Sequence, residues 1–235
     1  MGAMESETSY IFSQLEDAKE IRSGNFTFCE GKLNGYPVVA VRTSIGMANA
    51  GAVTALVIER YKPSCIIMQG TAGGHNPDYH QYDIVLGENI INIGTYVSAH
   101  KDAGQGSCTF DWDFPGTLSE DLGGAGVLHS DENLMTLAES VPYEKARIYR
   151  GGIGCADAWN REIDLINFFH KSKGTDCEEM EGYAVAQICE AYNVPYLILR
   201  VISNSELHPS EEFDPDTASE CQKYSLGIIK KLIEK

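Results

Sequence analysis

Two kinds of apolar run alternate along this chain. Val38 to Val41 form a short apolar strand, Cys65 to Met68 a continuous apolar block of the kind covered on both faces, and Asp83-Ile84-Val85-Leu86 opens another strand running toward Ile93. A further strand is expected over 147–153, and another opens at Pro195 and runs into Ser203-Asn204. Between these lie segments of helical period. One spans 48–61, with small residues on one face, and ends before Pro63. Ser130 is placed to cap a helix through Glu139, with Asp131 and Glu132 in its first turn. Helices are also expected over 161–170, over a segment ending near Tyr192-Asn193, and over 217–233. The last of these lines up Cys221, Tyr224, Ile228 and Leu232 on one face. Gly35-Tyr36-Pro37 reads as a turn. This alternation predicts a largely parallel sheet sandwiched between helix layers, an α/β fold.

At 235 residues the chain has room for one substantial core, so residues 1–235 are expected to form a single domain. There is no internal repeat and no interdomain linker. The stretch 94–126 is rich in glycine, contains Trp112 and Pro115, and has few periodic apolar positions. It reads as one or two long loops, of the kind that serve as lids or interface segments.

A net charge of −16 argues against nucleic acid or an anionic membrane as partner. No apolar run approaches the roughly 20 residues needed to span a bilayer. The seven cysteines show no CxxC spacing, and most sit in apolar segments as small buried hydrophobes. That favours a reducing, cytoplasmic setting. Met1-Gly2-Ala3-Met4-Glu5 is no signal peptide, and no apolar strand precedes it. A strand segment or export signal removed upstream would alter the expectation. His75 and His80 share a Gly/Pro loop and read as solvated side chains rather than metal ligands.

The most telling stretch is 176–204. Glu178, Glu179 and Glu181 crowd just before a mostly apolar helix, and the following strand ends in Ser203-Asn204. Like charges so close need stabilisation, from a helix N-terminus or from a ligand with several hydroxyls. Helix start and strand end together deliver polar clusters where open α/β sheets bind ligands. Gly70-Thr71-Ala72-Gly73-Gly74 follows a buried strand. It is either a tight strand-exit turn or a place where backbone amides approach a ligand. It is neither a GxGxxG fingerprint nor a Walker loop. Taken singly, Glu5 and Glu7 read as solvated first-turn acids, and Trp159 as a core aromatic capping the sheet.

Taken together and in order, Gly-Ala-Met-Glu-x-Glu, Ser-Ile-Gly, Gly-Thr-Ala-Gly-Gly, Asp-Ala-Trp, Glu-Met-Glu and Arg-Val-Ile-Ser-Asn resemble the nucleoside phosphorylase/nucleosidase family. The 5′-methylthioadenosine/S-adenosylhomocysteine nucleosidases are the closest branch. The resemblance implies a three-layer α/β/α sandwich with a mixed central sheet, phosphorylase/hydrolase-like, acting as a purine nucleoside N-ribosyl hydrolase in purine salvage. It implies no metal and no organic cofactor. It also implies a homodimer in which the 94–126 region reaches toward the partner's pocket. Cleavage of the purine–ribose bond passes through an oxocarbenium-like sugar. By matching position, Glu7 would bind and activate the water. Glu181 would hold ribose hydroxyls with Glu179 beside it, and Met180 would pack below the sugar. Thr71, Ala72 and Gly73 would lie near the sugar and nucleophile, with Ile45 on the Ser-Ile-Gly loop. Trp159 would stack on the purine, the Asn160 backbone would read its edge, and Phe213 would close the pocket.

One departure matters. Adenine-specific nucleosidases carry an aspartic acid after Ile-Ser that protonates the leaving purine, and here the residue is Asn204. An amide donates a hydrogen bond but delivers no proton, and general acid catalysis is worth roughly 10²–10⁴ in rate. Three explanations stand open: a 6-oxopurine substrate, a proton supplied by Glu206, or a non-catalytic binding or storage relative. A phosphate-dependent phosphorylase is a further alternative. Gln69 precedes the glycine turn where a cation would be wanted, and Arg42 is the basic residue nearest to hand. Water is therefore the expected nucleophile.

Overall fold

The computed structural model of the chain describes residues 1–106 and 126–234. A 3₁₀ turn at Glu5–Glu7 and α1 (Ser9–Gln14) lead into an antiparallel sheet of β1 (Glu16–Ser23), β2 (Phe26–Leu33) and β3 (Tyr36–Arg42). Asn34 and Gly35 both take positive φ, 51° and 75°, and form the two-residue β2–β3 hairpin. Such turns match strand twist, and Asn-Gly is their preferred pair. Tyr36 and Pro37, expected in the turn, therefore already belong to β3, an edge strand where proline is tolerated. β1 escaped sequence reading because it is almost wholly exposed and has no apolar face to show; β2, by contrast, is largely buried.

The remaining elements are α2 (Met47–Tyr61), β4 (Ile66–Gly74), β5 (Ile84–Asn92), β6 (Val127–Leu128), α3 (Glu132–Glu139), β7 (Ile148–Cys155) and α4 (Ile163–Lys173). They are followed by β8 (Cys177–Glu179), α5 (Gly182–Tyr192), β9 (Tyr196–Asn204) and α6 (Asp216–Ile233). The second sheet runs β6-β5-β7-β8-β4-β9, and β5 also pairs with β9, which closes the sheet on itself. The β4–β9, β5–β7 and β7–β8 pairs are parallel, whereas β4–β8, β5–β6 and β5–β9 are antiparallel. The central sheet is therefore mixed, rather than largely parallel as the alternation of elements suggests.

β9 shows why its sequence is uniformly apolar. Ile198 and Ile202 pack with α2 and α5, while Leu197, Leu199 and Val201 face α3 and α6. Among these residues sits one charge, Arg200, almost completely buried. The α3 cap is Asp131 and not Ser130: its carboxylate accepts from the backbone N–H groups of Asn133 and Leu134. The Ser130 hydroxyl instead accepts from Ile198 N–H at 3.1 Å. No helix among the described residues is long and apolar enough to cross a membrane.

Candidate active site

On the 3₁₀ turn beside β4, Glu7 is buried rather than solvated, in contrast to Glu5, whose side chain is 81% exposed. The Ala3 and Met4 N–H groups donate to its Oε2 at 2.8 and 3.1 Å. Thr71 donates to its Oε1 through N–H at 2.8 Å and hydroxyl at 3.0 Å. The amide of Gln69 holds the same turn by donating to Glu7 O. Thr71 and Gly73 are half-buried, and Ala72 is buried with its carbonyl near the Ser203 hydroxyl.

Arg200, which sequence reading passed over, is the hub. Its Nη2 is paired with Glu179 and lies 3.4 Å from Glu181 Oε2. A β-carbon at Gly70 would stand 2.7 Å from Glu7 Oε1 and 2.9 Å from Arg200 Nη1, so glycine lets the two groups meet there. Burial opposes the guanidinium charge, but Glu179, Glu181 and Glu7 outweigh it and raise the Arg200 pKa. A buried cation is tolerable only with such partners. The signal for it was in the sequence: one arginine inside an otherwise apolar strand.

The crowded acids divide in role. Glu179 lies behind the site rather than on its surface: Arg200 and the N–H groups of Glu181 and Gly182 take both its oxygens. Burial pushes its carboxyl up, yet Arg200 more than offsets this and holds it below the ordinary value. Glu181 accepts from Gly46 N–H at 2.9 Å. Burial first, and the Glu179 charge second, push it up to about 8. Glu7 also contributes to that rise, so the two acids sense each other through the site. Asp157 accepts from Met47 N–H at 2.8 Å, which fastens the Ser44-Ile45-Gly46 loop from the other side. Ile45 itself is half-exposed, and Met180 is half-buried between its acidic neighbours.

Glu178, a neighbour without a role in the sequence reading, clamps Asn160. The Asn160 N–H donates to Oε1 at 2.7 Å and its side-chain amide to Oε2 at 2.5 Å. His75 is buried, not solvated, with Nε2 3.2 Å from Glu178 Oε2 and Nδ1 2.8 Å from the Thr175 hydroxyl. Trp159 is 63% exposed and no core residue; its ring lies 6.4 Å from that of Phe213. Asn204 is buried, with Oδ1 2.9 Å from the Ser203 hydroxyl. Glu206 is paired with Arg161 at 2.7 Å. Arg42 stacks on Phe12, donates to the Thr8 hydroxyl at 2.9 Å and sits 3.6 Å from Glu5. The 94–126 expectation falls partly on 107–125, outside the described residues.

Residues 1–234 match the family model of the phosphorylase superfamily. The chain belongs to that family. A 5′-methylthioadenosine/S-adenosylhomocysteine nucleosidase from Geobacillus sp. is 27% identical over 239 residues, covering 99% of this chain and 96% of the relative. The fold matches that of a nucleosidase of the same name from Neisseria meningitidis, solved with methylthio-immucillin-A. Its TM-score is 0.81 at 25% identity, covering 97% and 96% of the two chains. Futalosine hydrolase of Helicobacter pylori shares the fold, with a TM-score of 0.77 at 20% identity over 97% and 95% of the chains. The family's mixed sheet flanked by helices is the fold described above.

Proposed function

We propose that this phosphorylase-superfamily chain, residues 1–235 acting as one unit, is a purine nucleoside N-ribosyl hydrolase. The observation that carries the reading is the buried Glu7 carboxylate, fixed by three backbone N–H groups and one hydroxyl beside Arg200. Of its four donors only the Thr71 hydroxyl can rotate away and yield its place to a water. Glu7 then orients that water and takes its proton as it attacks the anomeric carbon. Nη1 and Nε of Arg200 are buried and make no hydrogen bond to protein, so Nη1 offers a second contact for the water oxygen. Glu181 accepts ribose hydroxyls, Met180 packs against the sugar, and Trp159 with Phe213 brackets the base. Three carboxylates around one guanidinium favour a neutral water and disfavour a phosphate dianion, since anion sites need an excess of donors and cations. The nucleosidase names of the relatives support the same reading.

A homodimer and a cytoplasmic setting complete the proposal. Support for the first is a groove of about 320 Å³ between α2 and α5, edged by Met47, Tyr183, Ile188 and Asn92. Support for the second is that all six described cysteines are free.

Incubation with methylthioadenosine, adenosine, inosine and guanosine, with and without phosphate, tests the reaction. Free base without phosphate is the expected result. Base released only with phosphate would make the protein a phosphorylase. Binding without release of base would make it a storage or sensor protein.

A further inference from the structure

Three side chains outside the acid–arginine cluster converge where two loops meet. His80 lies on the loop between β4 and β5, and His208 and Glu211 lie on the segment between β9 and α6. One ligand atom of each, an imidazole nitrogen or a carboxylate oxygen, lies within 4.8 Å of the others. The two imidazole rings are 4.4 Å apart, and His80 Nδ1 is 2.8 Å from Glu211 Oε1. None of the three has a part in the reaction proposed above.

Hydrogen bonds fix both loops. The His208 N–H donates to Ser205 O at 3.1 Å and the Glu211 N–H to His208 O at 2.8 Å, so consecutive tight turns carry these two residues. On the facing loop the His80 N–H donates to Asp83 Oδ2 at 2.9 Å. Gln81 joins the loops. Its N–H donates to Glu211 Oε2 at 3.0 Å, and its side-chain amide donates to Ser203 O and Glu212 O, both at 2.7 Å. The Glu211 carboxylate is thus held by one oxygen and turns the other toward His80. Supporting bonds of this kind orient metal ligands.

A second, independent observation is an orphaned atom. His208 Nε2 is buried and makes no hydrogen bond among the described residues. Buried polar atoms are rarely left so, because an unmet hydrogen bond costs free energy. His80 and Glu211 satisfy each other; His208 calls for a partner of its own. Two imidazoles and a carboxylate form a donor set that holds zinc, whereas calcium and magnesium take oxygen ligands. The His80 side chain is 58% exposed, which leaves a path of entry from solvent.

We propose that His80, His208 and Glu211 bind one divalent transition-metal cation of the zinc class, with His208 ligating through Nε2. The cation displaces the proton shared by His80 Nδ1 and Glu211 Oε1, and fastens the 205–213 segment to the 75–83 loop. The inference does not rest on the hydrolase reading, since no nucleoside enters its test.

Calorimetry on the full chain, freed of metal by a chelator, titrates zinc and, separately, magnesium into wild type, His208→Ala and Glu211→Gln. Wild type is expected to take up one zinc per chain, at least roughly tenfold more tightly than either variant, and to bind magnesium far more weakly. Cobalt(II) in place of zinc is expected to give wild type the intense visible bands of a four-coordinate ion, absent from both variants. No zinc uptake by wild type overturns the inference. So does equal zinc affinity in His208→Ala, magnesium bound as tightly as zinc, or a six-coordinate cobalt spectrum. Should the variants fail to fold, proton NMR of cobalt-loaded wild type decides: paramagnetic shifts on the rings of His80 and His208 sustain the site, and their absence overturns it.

Discussion

Thr71 gives both its backbone N–H and its hydroxyl to a single oxygen of Glu7, at 2.8 and 3.0 Å. A residue inside β4 thus aims a buried acid on the N-terminal 3₁₀ turn, and the lone movable donor among its partners is a hydroxyl.

Glu7→Gln is therefore expected to lower hydrolysis by roughly 10²–10⁴, the range for a general base. Nucleoside binding, measured by calorimetry, should survive. A side-chain amide would face some of the backbone donors with its own N–H groups, so a stability loss of about 1–3 kcal/mol should accompany the change. Turnover near the wild-type rate would remove Glu7 from its role.

Gly70→Ala tests the close approach of Glu7 and Arg200. The new methyl would sit 2.7 Å from one and 2.9 Å from the other, and neither can retreat from its buried partners. Overpacking of this kind costs about 1–3 kcal/mol. The expected outcome is a folded protein with at least a roughly tenfold loss in kcat, since small misplacements of catalytic groups are costly. A variant with unaltered kcat would show that the two groups do not act as a unit.

The elevated Glu181 predicts two pH effects of opposite kind. Its carboxyl rises from 4.5 to about 8 on folding, by burial and then by the Glu179 charge. Between those values the folded chain holds a proton that the unfolded chain has lost, so this contribution to stability is lost as pH rises through the window. Denaturation midpoints for wild type and Glu181→Gln should diverge in slope between pH 5 and 8, with the variant flatter. Ribose hydroxyls donating to Glu181 favour its ionised form, so nucleoside binding near pH 7 should release a proton. Calorimetry in buffers of different ionisation enthalpy reads that proton directly, and its absence would count against Glu181 as the hydroxyl ligand.

Glu179→Gln should destabilise the protein by about 3–5 kcal/mol, because it leaves the buried Arg200 with a weakened partner. Urea denaturation measures it. A loss below about 1 kcal/mol would mean that Glu181 and Glu7 suffice to hold the guanidinium.

Asn204→Asp should raise kcat for adenine nucleosides by at least about tenfold, by restoring a group that can protonate the leaving base. The Ser203 hydroxyl already engages Oδ1, so the new carboxyl inherits its orientation. An unchanged preference between adenosine and inosine would show that leaving-group activation does not run through residue 204.

The local record in the chain was sufficient for much of this. Continuous apolar runs marked β4, β5 and β9, because strands buried on both faces tolerate few polar side chains, and the end of α5 at Asn193 follows from its left-handed cap. The order of the Glu, Gly-Thr-Ala-Gly-Gly and Glu-Met-Glu motifs pointed to the family. Other features depend on partners distant along the chain. β1 is almost wholly exposed and shows no apolar face, and β5 meets β9 only because the sheet curves shut. Whether an acid is solvated or buried is likewise a matter of what folds over it. Glu5 and Glu7 are two residues apart and alike in sequence, yet only the second reaches the donors of Thr71. Glu178, Glu179 and Glu181 separate into clamp, counter-ion and hydroxyl-facing carboxyl because Asn160, Arg200 and Gly46 arrive from three different elements. Residue type sets what a side chain can donate or accept, and tertiary structure decides which of its partners is within 3 Å.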